Sequence, residues 1–288
     1  MKILLATLCL NEMEHIPLLY RQHRGWPDSV GWVFVEAADR VYAECNPTLV
    51  SKGGLSTDGT TEYLEGLDLE DDRVTHVRHG ISTHPACLNQ GKCAARQRYL
   101  DEAEHIEPDW VLVLDADEFY TTKDQHRITQ TLRGELGRDG GVMFRQRHIW
   151  RPPSIADRPL FDLEVVGGYW TVPHCRAWRW SKGMRYQQNH NWPETRYGRL
   201  LNQDIARYNR TAGNPECIHL GYASSIASRQ AKHRYYVARG EGLDGRQSYV
   251  DCRRAFEEWE PGGRLPHGAK VRKYDGVVPE VFRDKVDL

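Results

Sequence analysis

Short apolar runs alternate with amphipathic stretches through the first half of the chain. The apolar runs are rich in β-branched residues, have the length of buried strands, and cover residues 2–10, 32–36, 73–81 and 110–114. Segments with helical spacing lie between them, at residues 14–24, 62–67 and 89–106. Because strands that alternate with helices form crossover units, the pattern predicts an α/β fold with a mostly parallel sheet.

The second half of the chain has a less regular pattern. It predicts strands at residues 141–150 and 217–222, and helices at residues 124–136, 224–240 and 247–259. Residues 37–55 contain Asn46-Pro47 and Gly53-Gly54, so a loop excursion is predicted there. The polar segment from Arg264 onward is expected to lie over the surface of the domain.

The apolar run at residues 110–114 leads directly into Asp115, Asp117 and Glu118. Open α/β sheets bind ligands beyond the carboxyl ends of their strands. Side chains alternate along a strand, so Asp115 and Asp117 are predicted to share one side while Ala116 faces away. Neighbouring carboxylates repel each other unless a cation lies between them, and their hard oxygens suit Mg²⁺ or Mn²⁺. The pattern predicts a metal site, with a solvated strand end before a turn as the alternative.

Composition narrows the class of protein. The chain has 288 residues, 40% of them hydrophobic, and no stretch approaches the roughly 20 apolar residues of a membrane span. Its seven cysteines are odd in number and contain no Cys-x-x-Cys pair, which indicates reduced thiols rather than disulfides or zinc ligands. Residues 1–10 lack the basic segment and the cleavage site of a signal peptide. We therefore expect a cytoplasmic protein.

Charge is unevenly distributed, although the net charge is only -1. Residues 142–288 contain 25 Lys and Arg against 16 Asp and Glu, whereas residues 1–141 contain 14 against 24. Within the basic half, residues 170–192 are dense in aromatic and arginine side chains, including the run Arg176-Ala-Trp178-Arg179-Trp180-Ser-Lys182. A basic half suggests an anionic partner, and a solvated charge imbalance explains the counts equally well.

Several short motifs occur in a characteristic order. A strand ends in Asn11-Glu12, a second ends in an acid, and then come Ser56-Thr-Asp58-Gly-Thr, a basic helix, the Asp-x-Asp and His219-Leu-Gly-Tyr. This order resembles that of nucleotide-sugar glycosyltransferases with the GT-A fold, and looks most like their family-2-like branch. The resemblance covers residues 1–120 well and thins to short patches as far as residue 240.

The resemblance implies a Rossmann-like sheet flanked by helices and a metal-dependent transferase of the hexosyltransferase type. The donor would be a nucleotide-diphosphate sugar, most often a UDP-sugar. Residues 1–141 would bind this donor, residues 142–263 would form an aromatic and basic acceptor-binding half, and residues 264–288 would form a C-terminal tail. All three segments are expected to belong to one GT-A domain and its tail.

The resemblance also assigns residues to the donor. Mn²⁺ or Mg²⁺, held by Asp115, Asp117 and His219, would neutralise the charge that develops on the leaving diphosphate. Lys92 and Arg96 are one helical turn apart and would contact the diphosphate together. Lys232 would add a further positive charge to the phosphates. For all three basic residues, a solvated helix face is the alternative.

Three more positions would surround the nucleoside. Thr7 and its neighbours would line the pocket at the end of the first strand. Glu36 stands where the family usually has an Asp that contacts the nucleoside, but residues 37–55 split the family motif at this point. Asp58 would lie against the base or close the pocket, and its alternative role is a helix cap.

The catalytic base is less well marked. An inverting transferase needs a carboxylate to take the proton of the acceptor hydroxyl. Several relatives have a Glu directly after the His of a Tyr-x-x-x-x-His pattern, whereas this chain has Tyr186, His190 and then Asn191. Asn cannot accept the proton, so Glu194 or Asp204 would serve, with Glu194 as our choice, unless the enzyme retains configuration.

Other functions remain open. A nucleotidyltransferase also uses paired aspartates, but it usually has a Gly-rich basic loop after the first strand, which residues 10–13 do not form. A non-catalytic sugar- or nucleic-acid-binding protein would use the aromatic and arginine-rich segment. For a transferase, the resemblance favours a glycan or lipid-linked acceptor. A nucleic acid also fits the segment, for example a hydroxymethylated base in duplex DNA of the kind that phage transferases glucosylate.

Overall fold

The structure of the protein is a computed structural model. It describes residues 1–82, 90–135, 140–151, 159–166, 174–186, 193–194, 215–238 and 269–283. The helix predicted at residues 247–259 lies outside these ranges. Across the described part of the chain, no helix combines the length and hydropathy needed to cross a bilayer.

The first half of the chain forms a parallel sheet with helices between its strands. Its elements are β1 (Ile3–Cys9), α1 (Ile16–His23), β2 (Ser29–Asp39), α2 (Arg40–Cys45), α3 (Thr60–Glu70), β3 (Val74–Ser82), α4 (Gln90–Ile106), β4 (Trp110–Val113), β5 (Glu118–Phe119) and α5 (Thr122–Gly134). Four strands lie in the order β3-β2-β1-β4, and each neighbouring pair is parallel. The predicted alternation of strands and helices is confirmed here.

The second half extends the sheet with mostly antiparallel strands. Its elements are β6 (Gly141–Trp150), β7 (Leu163–Val166), β8 (His174–Arg179), β9 (Glu216–Tyr222), α6 (Ile226–Ala238), β10 (Lys270–Lys273) and a 3₁₀ turn, Glu280–Phe282. β8 lies antiparallel beside β4 and connects the sheet to β6, β7 and β10. β9 pairs with β6 and with the short β5, so it lies next to the acidic segment that follows β4.

Alternating side chains place a hydrophobic core on both faces of the sheet. In β1, Ile3 and Leu5 belong to one cluster, while Leu4 and Ala6 belong to the other. α1, α3 and α5 cover the first face, and α4 covers the second. Strands covered on both faces are apolar at every position, which explains the unbroken runs in the sequence. The predicted fold class is confirmed as an α/β, Rossmann-like sheet flanked by helices, with parallel strands in its first half.

Two segments differ from what their sequences predict. β2 continues to Asp39, whose carboxylate accepts a hydrogen bond from the N–H of Val41 at 2.9 Å and so caps α2. The predicted loop at residues 37–55 therefore begins as a strand and a helix. The polar C-terminal segment also contributes to the sheet and the core. β10 pairs with β7, and the ring centroids of Phe282 and Phe119 are 4.8 Å apart.

Candidate functional site

A cavity of about 700 Å³ opens where the carboxyl ends of β1 and β4 meet α6. Its walls come from the loop after β1, the segment after β2, the start of α4, the turn after β4, and β9 with α6. The charged and histidine side chains that line it are Glu12, Asp39, Asp58, Lys92, Arg96, Asp115, Asp117, His219 and Lys232. Four tyrosines also line it, namely Tyr42, Tyr222, Tyr235 and Tyr236. The cavity lies at the edge of the sheet where open α/β folds bind ligands.

The two aspartates lie in a turn rather than on a strand. β4 ends at Val113, and the N–H of Glu118 donates to the carbonyl of Asp115 at 2.9 Å. Asp115 and Asp117 both line the cavity, and so does Ala116, which strand alternation predicted to face away. The turn, and not a period of two, brings the carboxylates to the same space.

The Asp115 carboxylate is paired with two arginines. Its Oδ1 accepts a hydrogen bond from Nη2 of Arg96 at 3.1 Å, and its Oδ2 accepts one from Nη2 of Arg176 at 2.9 Å. Burial alone would raise the pKa of Asp115, but the charges of Arg176 and Arg96 lower it to about 2. The positive charge that was predicted to lie beside Asp115 is therefore supplied by two arginines of the protein itself.

Asp117 faces two different partners. Its Oδ2 lies 3.6 Å from Nε2 of His219 and 3.6 Å from Nζ of Lys232. Burial would raise the pKa of Asp117, but His219, which is protonated in acid, and the charge of Lys232 hold it well below its usual range. Burial lowers the pKa of His219, although Asp117 opposes this effect. A neutral imidazole beside an ionised carboxylate is a suitable pair of metal ligands.

The backbone and a glycine keep this pair in place. The N–H of Leu220 donates to the carbonyl of Asp117 at 2.8 Å, which joins β9 to the turn. A Cβ atom at Gly221 would collide with Cε1 of His219 and would lie 2.9 Å from Oδ2 of Asp117. The missing side chain therefore leaves room beside both donor atoms. On the other side of the imidazole, Nδ1 lies 3.0 Å from Nδ1 of His148, a contact of the kind that orients a ligating histidine.

The predicted metal-binding set is assembled only in part. In the described ranges, no group of three or more His, Cys, Asp or Glu side chains is placed to hold a metal ion. Asp117 and His219 are together, whereas both oxygens of Asp115 are bonded to arginine. Mg²⁺ at nucleotide sites is usually held by one or two carboxylates plus substrate phosphates. Asp117 and His219 therefore fit a cation that is shared with a bound diphosphate.

The three predicted phosphate contacts all line the cavity. Lys92 and Arg96 come from the beginning of α4, and Arg96 is almost fully buried. Lys232 comes from α6 on the other side, where its Nζ also lies 3.9 Å from Oε1 of Glu12. Positive side chains from two helices thus surround the acidic turn, which is an arrangement that suits an anion.

The positions predicted to surround the nucleoside have different places. Thr7 is fully buried and accepts a hydrogen bond from the indole N–H of Trp32 at 2.9 Å, while its neighbours Leu8, Cys9 and Leu10 line the cavity. Asp58 lines the cavity, and it also accepts hydrogen bonds from the N–H groups of Thr60 and Met13, both at 3.0 Å. Asp58 therefore ties the start of α3 to the loop after β1.

Glu36 is part of the scaffold rather than of the cavity wall. It is fully buried and accepts hydrogen bonds from the N–H of Ser56 at 2.6 Å and the hydroxyl of Thr61 at 2.7 Å. The ring of His76 lies 3.1 Å from its other oxygen. The contact with Ser56 holds the C-terminal end of the segment that follows β2 against this strand. The predicted nucleoside contact by Glu36 does not fit this position.

Of the two candidates for the catalytic base, the structure describes only Glu194, which is not at the cavity wall. Glu194 is 3% exposed and forms two backbone hydrogen bonds with Arg185, at 2.9 and 2.6 Å. It is not among the described residues that line the cavity. Asp204 lies outside the described residues, as do His190 and Asn191.

The first part of the aromatic and arginine-rich run, residues 176–179, is a strand inside the sheet. Residues 174–179 form β8, which lies inside the sheet between β4 and β6. Trp178 is 1% exposed, and Arg176 is buried against the acidic turn. Arg179 is paired with Asp109. Residues 176–179 have no helical period because they belong to a central strand, whereas Ser181 and Lys182 at the end of the run are exposed.

Sequence reasoning missed the residues that hold the acidic turn in shape. Glu118 is fully buried and accepts hydrogen bonds from Arg176 and Gln146, and its Oε2 also accepts the N–H of Asp115 at 3.2 Å. Burial raises the pKa of Glu118 to about 7. Glu118 was visible as the third acid of the motif, but its partners belong to strands far away in sequence, where no local pattern marks them.

No protein-family model matches the chain, and a comparison with curated proteins finds no match. Among solved structures, the chain is similar to S. aureus TarS 1-349 in complex with UDP. The alignment covers 55% of this chain and 40% of the TarS chain, at 15% identity and a TM-score of 0.35. The complex of TarS 1-349 with UDP-GlcNAc overlaps 55% and 39%, at 16% identity and a TM-score of 0.34. Mannose-1-phosphate geranyltransferase from Thermus thermophilus overlaps 94% and 72%, at 13% identity and a TM-score of 0.25. The alignments thus span about two fifths of the length of the TarS 1-349 chains. Structural similarity with such low identity and TM-scores assigns no function to this chain.

Proposed function

We propose that the chain is a glycosyltransferase that takes a sugar from a nucleotide-diphosphate donor. The observation that carries the proposal is the Asp117–His219 pair in a cavity that is also lined by Lys92, Arg96 and Lys232. An ionised carboxylate and a neutral imidazole suit a divalent cation, and the surrounding ammonium and guanidinium groups suit phosphate oxygens. A metal-bound diphosphate would satisfy both sets of groups at once.

Each side chain has a defined task in this proposal. A bound Mn²⁺ or Mg²⁺ would supply neutralisation of the charge that develops on the leaving diphosphate. Asp117 and His219 would hold that cation, and Lys92 and Lys232 would bind the phosphate oxygens. Arg96 is already bonded to Asp115, so it would contribute its charge to the same region while fixing the turn.

The nucleoside would lie toward the segment that follows β2. Tyr42 of α2 lines the cavity, and its half-buried ring packs against that of the buried Tyr235 of α6, with 5.8 Å between the ring centroids. Aromatic faces of this kind stack on nucleobases. The segment that follows β2 would then contact the nucleoside, which is the role that the resemblance predicted for Glu36. A uridine diphosphate sugar remains the proposed donor.

The catalytic base and the acceptor are separate proposals. Glu194 or Asp204 would take the proton of the acceptor hydroxyl in an inverting reaction, with a retaining route as the alternative. If Glu194 is the base, Glu194→Gln lowers the transfer rate by about 10²–10⁴-fold and leaves donor binding intact. A glycan or lipid-linked sugar remains the proposed acceptor, because Arg176 and Trp178 of the run that favoured a nucleic acid are buried in β8.

A hydrolysis screen tests the donor without knowledge of the acceptor. UDP-GlcNAc and other nucleotide sugars are offered with Mn²⁺, and free nucleoside diphosphate is measured. We expect release by the wild-type chain and none by Asp117→Asn, with Asp68→Asn on the exposed face of α3 as the matched control. A nucleotidyltransferase would instead form pyrophosphate from a nucleoside triphosphate. A binding protein would release neither product, and either result would refute the proposed function.

A further inference from the structure

Lys232 reaches the acidic turn from the opposite wall of the cavity. Its Nζ lies 3.6 Å from Oδ2 of Asp117 and 3.9 Å from Oε1 of Glu12, so one ammonium group lies between two carboxylates. Both carboxylates belong to the parallel half of the fold, whereas Lys232 belongs to α6. The contact therefore joins the two halves across the cavity.

The same carboxylate oxygen faces both Lys232 and the imidazole. Oδ2 of Asp117 is the atom that lies 3.6 Å from Nε2 of His219, and these two atoms are the pair that fits a divalent cation. An ammonium group at this oxygen repels a divalent cation and also occupies part of the space beside it. Lys232 and the cation therefore compete for Asp117.

The helix that carries Lys232 is fixed, so any large movement of the ammonium must come from the side chain. Asn46 donates to the carbonyl of Ala231 at 3.2 Å and accepts from Nε of Arg234 at 2.8 Å, which ties α6 to the segment after α2 on both sides of Lys232. The lysine side chain is 28% exposed, and four methylene groups let its ammonium reach several positions in the cavity.

We propose that Lys232 is a positioning residue that makes binding of the metal depend on binding of the diphosphate. Without a nucleotide, the ammonium neutralises Asp117 and Glu12 and opposes the cation. A diphosphate draws the ammonium away from Asp117, which makes Oδ2 available to the cation beside His219. By linkage, the cation strengthens diphosphate binding by the same factor. This inference rests on the proposed function for its second step, and on the contacts of Lys232 with Asp117 and Glu12 for its first.

Titration calorimetry with MnCl₂ alone tests the first step. Lys232→Met removes the charge at similar length, and we expect it to bind Mn²⁺ about tenfold more tightly than the wild-type chain does. Lys232→Arg keeps the charge and should bind Mn²⁺ as weakly as the wild type. The double variant Lys232→Met/His219→Ala should lose the gain, which would place the cation at this site. Equal Mn²⁺ affinity of Lys232→Met and the wild type would overturn the proposal.

Titrations of MnCl₂ in the presence of saturating UDP test the second step. UDP should tighten Mn²⁺ binding strongly in the wild type and much less in Lys232→Met, and an equal effect of UDP on both would overturn the coupling. Failure of the proposed function gives a separate result, because the wild-type chain would then bind no UDP with or without Mn²⁺. That result would remove the coupling as well, while the titrations without UDP would still decide whether Lys232 opposes the cation.

Discussion

Asp115 bonds to Arg176 at 2.9 Å, and this pair connects the turn after β4 to the strand beside it. Arg176 is 9% exposed at its side chain and also bonds to the fully buried Glu118, so one guanidinium serves two carboxylates. Arg96 completes the group from α4. The acidic turn is therefore held by two cations of the protein before any ligand binds.

We expect Asp115→Asn to lower the free energy of unfolding by roughly 1–3 kcal/mol, because it removes the carboxylate that pairs with the buried Arg96 and one of the two carboxylates that pair with Arg176. The loss should be smaller than for a fully buried pair, since the Asp115 side chain is 30% exposed. The repulsion between neighbouring carboxylates, considered alone, predicts the opposite sign. Urea denaturation at pH 7 measures the effect.

Asp101→Asn is the matched control for this substitution. Asp101 is paired with Arg98 on the outer face of α4, with its side chain 38% exposed, and such pairs contribute about 0–1 kcal/mol. A stability of Asp115→Asn equal to or above that of the wild type would show that the arginines do not depend on this carboxylate.

The parallel half of the fold was predictable because its signals are local. Burial on both faces makes β1 and β4 apolar almost throughout, and the structure confirms a strand within each of the predicted runs. The site was less predictable because its contacts are distant in sequence. Arg176 and Asp115 are 61 positions apart, and the sequence around Arg176 suggests an exposed aromatic surface. Only the pairing of β8 with β4 shows that the part of the run around Arg176 belongs to the core.

Gly221→Ala tests whether the space beside Asp117 and His219 is used. The new Cβ would collide with the imidazole and would lie 2.9 Å from the carboxylate, so one of the two side chains must move. We expect Mn²⁺-dependent UDP binding to fall at least about tenfold, because a small displacement of a ligand is costly at a metal site. Titration calorimetry measures the affinity, and circular dichroism checks the fold.

Gly66→Ala is a suitable comparison for that variant. Gly66 lies within α3, and a Cβ there meets nothing within 4 Å. Alanine should therefore stabilise the helix by about 0.5–1 kcal/mol and leave UDP binding unchanged. If Gly221→Ala also bound UDP and Mn²⁺ like the wild type, the space beside Asp117 and His219 would not be a cation site.

The buried state of β8 leads to a prediction about nucleic acids. Trp178 and Arg176 have too little exposed surface to stack on bases or to contact phosphates. We expect no measurable affinity for duplex DNA that contains hydroxymethylated bases at about 50 mM salt, where a protein with several phosphate contacts would bind well. Fluorescence anisotropy measures this. Binding that weakens steeply toward about 200 mM salt would restore the nucleic-acid alternative.

Glu36 gives the fold a defined sensitivity to acid. Burial would raise the pKa of its carboxyl, but hydrogen bonds from His76, Ser56 and Thr61 lower it from 4.5 to about 2. When folding lowers the pKa of a carboxyl, the folded state is stabilised at any pH above the pKa of that group in the unfolded chain. This stabilisation is lost as the pH falls toward the pKa of the group in the folded protein. We expect Glu36→Gln to cost roughly 3 kcal/mol at pH 7.

The difference in stability between the wild type and Glu36→Gln should shrink as the pH falls. The expected reduction is about 1 kcal/mol at pH 4 and about 2 kcal/mol at pH 3, measured by urea denaturation of both proteins at each pH. Glu65→Gln is the control, because Glu65 is 44% exposed and paired with Arg78 at the surface. A constant difference in the free energy of unfolding between the wild type and Glu36→Gln from pH 7 to pH 3 would contradict this prediction. The segment after β2 would then be held by packing and not by the charge of Glu36.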